Sequence, residues 1–355
     1  MPENRSSHPE TGLSPMRKET LITLSRRTGF SVSTVSRVLN GKANKYRISE
    51  KTVKLITEEA NSRNYKPSLL AKGLRTQKTN TIGLLVPGID NPYFANIAST
   101  VISETSRLGY TTVLVDTMGA PDLERAGVES LVSRMVDGII VVPSGQEPDA
   151  LESIDRNRTP VVLIDRYFEP TALPYVTTNN YEGGFNATKY LIGFGHRDIL
   201  CIRGVPHSMP ARERERGYLD ALREAGLEDR ARIAGNDFSI QNGYLETKFE
   251  LSGSARPTAI FAMSNTILLG TIKAIKESGL RIPDDISVVS FDNYTYLDYL
   301  DPAITRVSQR ISEMGALAVK ILLQRIEGTG NDDAKIQLSP QLIVCNSVAH
   351  AHGEK

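Results

Sequence analysis

Two regimes of apolar spacing divide the chain. Between Thr20 and Lys66, Leu21, Leu24 and Thr28 share one helical face, and so do Val35, Val38 and Leu39, then Val53, Ile56 and Ala60. Steps of three and four residues place each set on one side of a helix. The pattern predicts three short helices. Thr20 caps the first and Gly29 ends it; the second begins near Val32 or Ser33 and stops at Asn40-Gly41; Ser49 caps the third, which runs to about Arg63.

From Thr81 the texture changes. Strand-length apolar runs, "TIGLLV", "TTVLVD", "DGIIVV", "PVVLID", "DILCIR", "TAIFAM" and "ISVVSF", alternate with helical segments. Strand, helix, strand in repetition implies an α/β fold of parallel sheets with helices on both faces. About 265 residues are too many for one small open sheet. Two doubly wound lobes fit, with a cleft at the carboxyl ends of their strands.

Charge sharpens this division. The formal net charge is only +1, yet residues 1–80 carry 16 Lys/Arg against 6 Asp/Glu, and the remainder 26 against 35. A basic first fifth on an acidic body assigns a polyanionic partner to the N-terminal piece alone. The composition, 40% hydrophobic and 23% charged, is ordinary for a soluble protein. Cys201 and Cys345 lie far apart and form neither a disulfide framework nor a metal spacing. No run approaches the roughly 18 apolar residues of a membrane span. The start, "MPENRSSHPETGLSPM", lacks the apolar segment of an export signal, so a cytoplasmic location is expected. P-loop, HExxH and GxSxG motifs are absent, and the lone GxG of "GFGH" follows a helix, so neither an enzyme nor a cofactor is expected.

The stretch "FSVSTVSRVLNG", Phe30 to Gly41, shows what the basic piece does. Helix, tight glycine turn, helix is the helix-turn-helix arrangement, whose second helix lies in the major groove. Val35, Val38 and Leu39 pack that helix on the first, leaving Ser33, Thr34, Ser36 and Arg37 outward. Short hydroxyl side chains allow close approach to base edges, and an arginine grips guanine O6 and N7 together.

"GFSVSTVSRVLNG", "RISEKTVKLI" and "NYKPSLLAKGLR" together resemble the headpiece of the lactose-repressor (LacI/GalR) family of bacterial transcription regulators, and the resemblance runs from Thr20 to about Val348. It implies a three-helix DNA-binding headpiece at 19–66, a hinge helix at 67–79 and an effector-binding and dimerisation body at 80–348, after a start that its polar, Pro/Ser-rich composition marks as a flexible tail at 1–18. The body would resemble a periplasmic sugar-binding protein, with lobe 1 at about 80–177 and 307–328, and lobe 2 at about 178–304 and 331–348. DNA contacts carried over are Thr20, Ser31, Val32, Ser33, Thr34, Ser36, Arg37 and Asn40, plus Lys72 and the hinge wedge Leu74, which would bend the duplex from its minor groove. The effector residues carried over are Tyr93, Phe94, Asp165, Arg214, Asn265, Asp292 and Gln309. The sequence departs from the family in Thr23 and Ser25 of the first helix, and in Ser264-Asn265, where a carboxylate is usual. The loop "GKANKYRI" is also longer than in the lactose repressor; its Lys42, Lys45 and Arg47 either reach phosphates or stay solvated.

A homodimeric, cytoplasmic repressor of sugar-utilisation genes is therefore expected, binding a pseudo-palindromic double-stranded operator and a sugar or sugar derivative, with no membrane partner and no metal. A solute-binding protein would explain the body but neither the basic headpiece nor the missing export signal.

Overall fold

The computed structural model describes residues 19–65, 78–330 and 333–351. The chain forms two units, Met1–Thr79 and Asn80–Lys355. The expected tail at 1–18, Lys72, Leu74 and residues 67–77 of the expected hinge lie outside the described residues.

In the first unit, α1 (Leu21–Thr28), α2 (Val32–Leu39) and α3 (Glu50–Ser62) enclose a small core of Leu24, Val35, Val38, Ile56 and Ala60. Side-chain caps set the helix starts. Thr20 and Thr23 form a reciprocal capping box, and the hydroxyls of Ser31 and Ser49 accept from the amides of Thr34 (3.2 Å) and Thr52 (3.3 Å). Gly29 stops α1 in the left-handed region, at φ 75°. A single 3-10 turn, Asn44–Tyr46, leads towards α3, with Ala43 and Ile48 packed against the same core.

The second unit holds two six-stranded sheets. Strands β1 (Thr81–Val86), β2 (Thr111–Asp116), β3 (Gly138–Val141), β4 (Val161–Ile164), β5 (Tyr175–Thr178) and β11 (Lys335–Leu338) form the first, in the order β11-β5-β4-β3-β1-β2. Strands β6 (Ile199–Ile202), β7 (Arg232–Ala234), β8 (Ala259–Ala262), β9 (Ser287–Phe291), β10 (Thr305–Ser308) and β12 (Gln341–Ile343) form the second, in the order β12-β10-β9-β8-β6-β7. The central strands are continuously apolar because both of their faces are covered. Leu84, Ile140 and Val162 point into one core, while Leu85, Ile139 and Val161 point into another. Around the first sheet lie α4 (Pro92–Arg107), α5 (Pro121–Ser133), α6 (Asp149–Arg156) and α11 (Ile311–Ile326); the second lobe contains α7 (Asn180–Gly193), α8 (Met209–Glu224), α9 (Ile240–Ser252) and α10 (Asn265–Glu277).

Three crossings join the lobes, from β5 to α7, from β10 to α11 and from β11 to β12, and all leave from the same edge of each sheet. Two lobe boundaries differ from those read in the sequence. Strand β10 pairs with β9, so the chain stays in the second lobe through Ser308 rather than leaving it near residue 304. Strand β11 pairs in parallel with β5, so Lys335–Leu338 belongs to the first lobe and not the second. Its alternating exposed and half-buried residues carry too weak an apolar signal to assign it a lobe. The second sheet is also not purely parallel, because β12 runs antiparallel to β10.

Helices α7 and α8 cross at glycines. A Cβ on Gly184 would collide with the Arg214 backbone carbonyl and lie 2.8 Å from Arg214 Cα, so only hydrogen fits there. This close approach fixes the height at which Arg214 leaves α8.

Candidate functional site

The headpiece leaves Thr20, Ser31, Val32, Ser33 and Arg37 of the expected DNA face exposed, and some of these side chains also cap its helices. Val32, Ser33 and Arg37 are exposed on α2, and Val32 keeps 41% of its surface open to solvent. Ser31 caps α2, and its hydroxyl lies 2.8 Å from that of Ser33 and 2.9 Å from that of Thr34. Asn40 closes the other end: its amide donates to the Ser36 carbonyl at 2.6 Å and lies 3.3 Å from the Ser36 hydroxyl. Thr20, Ser31 and Asn40 thus shape the helices, while Ser36 and Thr34 are half-buried.

All seven expected effector residues are buried, and they converge between the lobes. Asp165 directly follows β4 and Asp292 directly follows β9, the corresponding strand of the other sheet. Both adopt left-handed backbone, with φ of 66° and 79°. Aspartate tolerates this conformation better than most residues, and here it turns each carboxylate into the cleft. The Tyr93 hydroxyl lies 2.5 Å from Asp165 Oδ1 and 3.0 Å from Gln309 Oε1; having one proton, it donates to the carboxylate. Gln309 sits in the second crossing and bridges both lobes. Its carbonyl accepts from Thr178 at 2.6 Å, and its amide donates to Asp292 at 2.7 Å.

Arg214 is held from three sides. Its Nε donates to Asn180 (2.8 Å), its Nη1 donates to the Met263 carbonyl (2.6 Å), and its guanidinium stacks 3.6 Å over the Phe291 ring. Burial pushes the Asp165 carboxyl above the ordinary carboxylate value, opposed by Arg166 and the Tyr93 hydrogen bond. Burial likewise raises Asp292, opposed by Arg214 and Gln309. The Asn265 amide N–H donates to Asp292 at 3.2 Å, its side chain lies beside the Tyr296 hydroxyl, and the buried hydroxyl of Tyr294 has no hydrogen-bond partner.

The cleft adds Asn91, Arg166, Pro210, Phe238 and Ser264 to the expected set. Arg166, next to Asp165 in "LIDRYF", was legible as a strand-end charge. Phe238 sits in the loop after β7, with no pattern to mark it. Gln309 is a brace behind the wall rather than part of the lining. Among the described residues no cluster of His, Cys, Asp or Glu could hold a metal, and no helix is long and apolar enough to cross a membrane.

A helix-turn-helix unit followed by two doubly wound lobes around a polar cleft defines a class, that of DNA-binding regulators with a periplasmic-binding-protein-like core. Residues 23–68 match the bacterial regulatory proteins of the lacI family, and residues 188–348 match a periplasmic binding protein-like domain. The HTH-type transcriptional repressor PurR of Vibrio campbellii is 34% identical over 334 residues, covering 93% of this chain and 98% of its own. The lac repressor dimer bound to operator and the anti-inducer ONPF shares the fold, with a TM-score of 0.83, 24% identity and coverage of 94% of this chain and all (100%) of its own. A LacI family transcriptional regulator from Enterococcus faecium with bound ribose has a TM-score of 0.70 and 26% identity, covering 76% of this chain and 99% of its own. The chain belongs to the lacI family of bacterial regulatory proteins and is a DNA-binding transcriptional repressor, not an enzyme.

Proposed function

We propose that this repressor is a cytoplasmic homodimer that reads a pseudo-palindromic operator with α2 and responds to an unphosphorylated monosaccharide bound between its lobes, controlling carbohydrate-utilisation genes. The observation that carries this reading is the cleft itself, in which the carboxylates of Asp165 and Asp292 alternate with the guanidinium groups of Arg166 and Arg214, beside Asn265 and the rings of Phe94 and Phe238. A polyol needs donors and acceptors around its rim and an apolar face for its carbons. The Asn265 side-chain amide can offer both a donor and an acceptor to a hydroxyl. The two guanidinium groups are already matched by the two carboxylates, which leaves no excess of cations to hold a phosphate, so sugar phosphates are disfavoured. The ribose-bound relative supports a sugar as the ligand class. The dimer follows from the two-fold symmetry of such operators.

Calorimetric titration with pentoses, hexoses, sugar phosphates and nucleobases tests the ligand class. A neutral monosaccharide should bind and its phosphate should not; tight binding of a phosphate or a nucleobase alone would end the sugar reading. Affinity should also fall as the solution is acidified. Ionised carboxylates are the stronger acceptors for hydroxyls, and burial raises both above the usual aspartate value, so the loss should begin at higher pH than for a solvated aspartate.

On the DNA side, Arg37→Ala should cost about 1–3 kcal/mol on the selected operator and little on random duplex. Equal losses on both would show that Arg37 meets phosphate alone.

A further inference from the structure

The longer loop "GKANKYRI" has no part in that reading, yet the structure gives it a defined shape and one specific contact. After Gly41, at φ 68°, the Lys42 amide donates back to the Arg37 carbonyl at 2.9 Å. The Tyr46 and Ile48 amides both donate to the Ala43 carbonyl, at 3.2 and 3.0 Å, and Arg47 takes left-handed backbone at φ 52°. With Ala43 and Ile48 anchored in the headpiece core, the turn stands beside the C-terminal half of α2. It delivers Tyr46, 44% exposed, so that the Arg37 guanidinium lies 3.9 Å from the centre of its ring.

An exposed arginine normally wanders among many rotamers, and fixing it on DNA costs entropy. A ring face attracts the guanidinium and leaves the in-plane N–H groups pointing outward, free for a base edge. We propose that Tyr46 is a positioning residue for base recognition, holding Arg37 ready for guanine. The proposal rests on the reading of α2 as the groove helix.

The test uses the full-length protein with Tyr46→Phe and Tyr46→Leu, each selecting duplexes from a random pool. The readout is base preference at the guanine position that Arg37→Ala erases. The leucine variant should lose about two- to fivefold of that preference, the scale of an exposed cation–π contact. Its thermal unfolding and its binding to random duplex should match the parent, and the phenylalanine variant should keep the parental preference. Parental preference in the leucine variant would overturn the proposal. So would a phenylalanine variant as poor as the leucine one, which would assign the role to the hydroxyl. Tighter operator binding by the leucine variant would overturn it too, showing that Tyr46 withholds Arg37. If Arg37→Ala erases no base preference, the groove-helix reading falls along with the proposal, whereas the Tyr46 outcomes leave that reading standing.

Discussion

Gly184→Ala is expected to destabilise the ligand-binding unit by about 3 kcal/mol or more and to abolish ligand binding with it. The added methyl would drive into the backbone carbonyl of Arg214, and neither partner is a flexible side-chain end that can swing away. Relief requires α7 and α8 to separate, and Arg214 rides on α8. Its contacts to Asn180 and Met263 would stretch together, and the guanidinium would leave the Phe291 face. Urea unfolding followed by circular dichroism reads the first effect and calorimetry the second. A variant with parental midpoint and affinity would show that the crossing has slack, and that Arg214 is set by its hydrogen bonds alone.

Asp292→Asn should weaken ligand binding by roughly ten- to a hundredfold, the scale of hydrogen bonds to a charged group. The substitution keeps the shape and one carbonyl acceptor for Gln309, so the fold should persist. What it removes is the negative charge opposite the buried Arg214. Operator affinity without ligand should stay at the parental level, measured by fluorescence anisotropy on a labelled duplex. Unchanged ligand affinity would make Asp292 a brace for Gln309 and Asn265 instead of a ligand contact.

Much of this architecture could be read from the chain, and the exceptions share a cause. Central strands such as "TIGLLV" and "ISVVSF" announce themselves because both faces are buried. Strands β7, β11 and β12 are short, lie at sheet edges and mix charged or polar with apolar residues, so no run marks them. The placement of β11 depended on pairing across some 160 residues of chain, which no local pattern encodes. The family resemblance pointed to Asp165, Arg214 and Asp292, and the structure gathers all three. It gave no hint of Phe238, which reaches the cleft only through the loop after β7, nor of Tyr46, whose meaning lies entirely in the arginine nine residues before it.

The three crossings leave together from one edge of each sheet, while β2 and β7 form the opposite edges, with no covalent link between the lobes there. Two stiff bodies tied along one side keep a single soft coordinate, the angle of a jaw, because sliding or twisting would strain all three connections at once. Gln309 sits at the pivot of that jaw, bonded to Thr178 of one lobe and Asp292 of the other. A molecule in the mouth that competes for Asp292 therefore acts on the axle, where a small displacement becomes a large swing at the far rims.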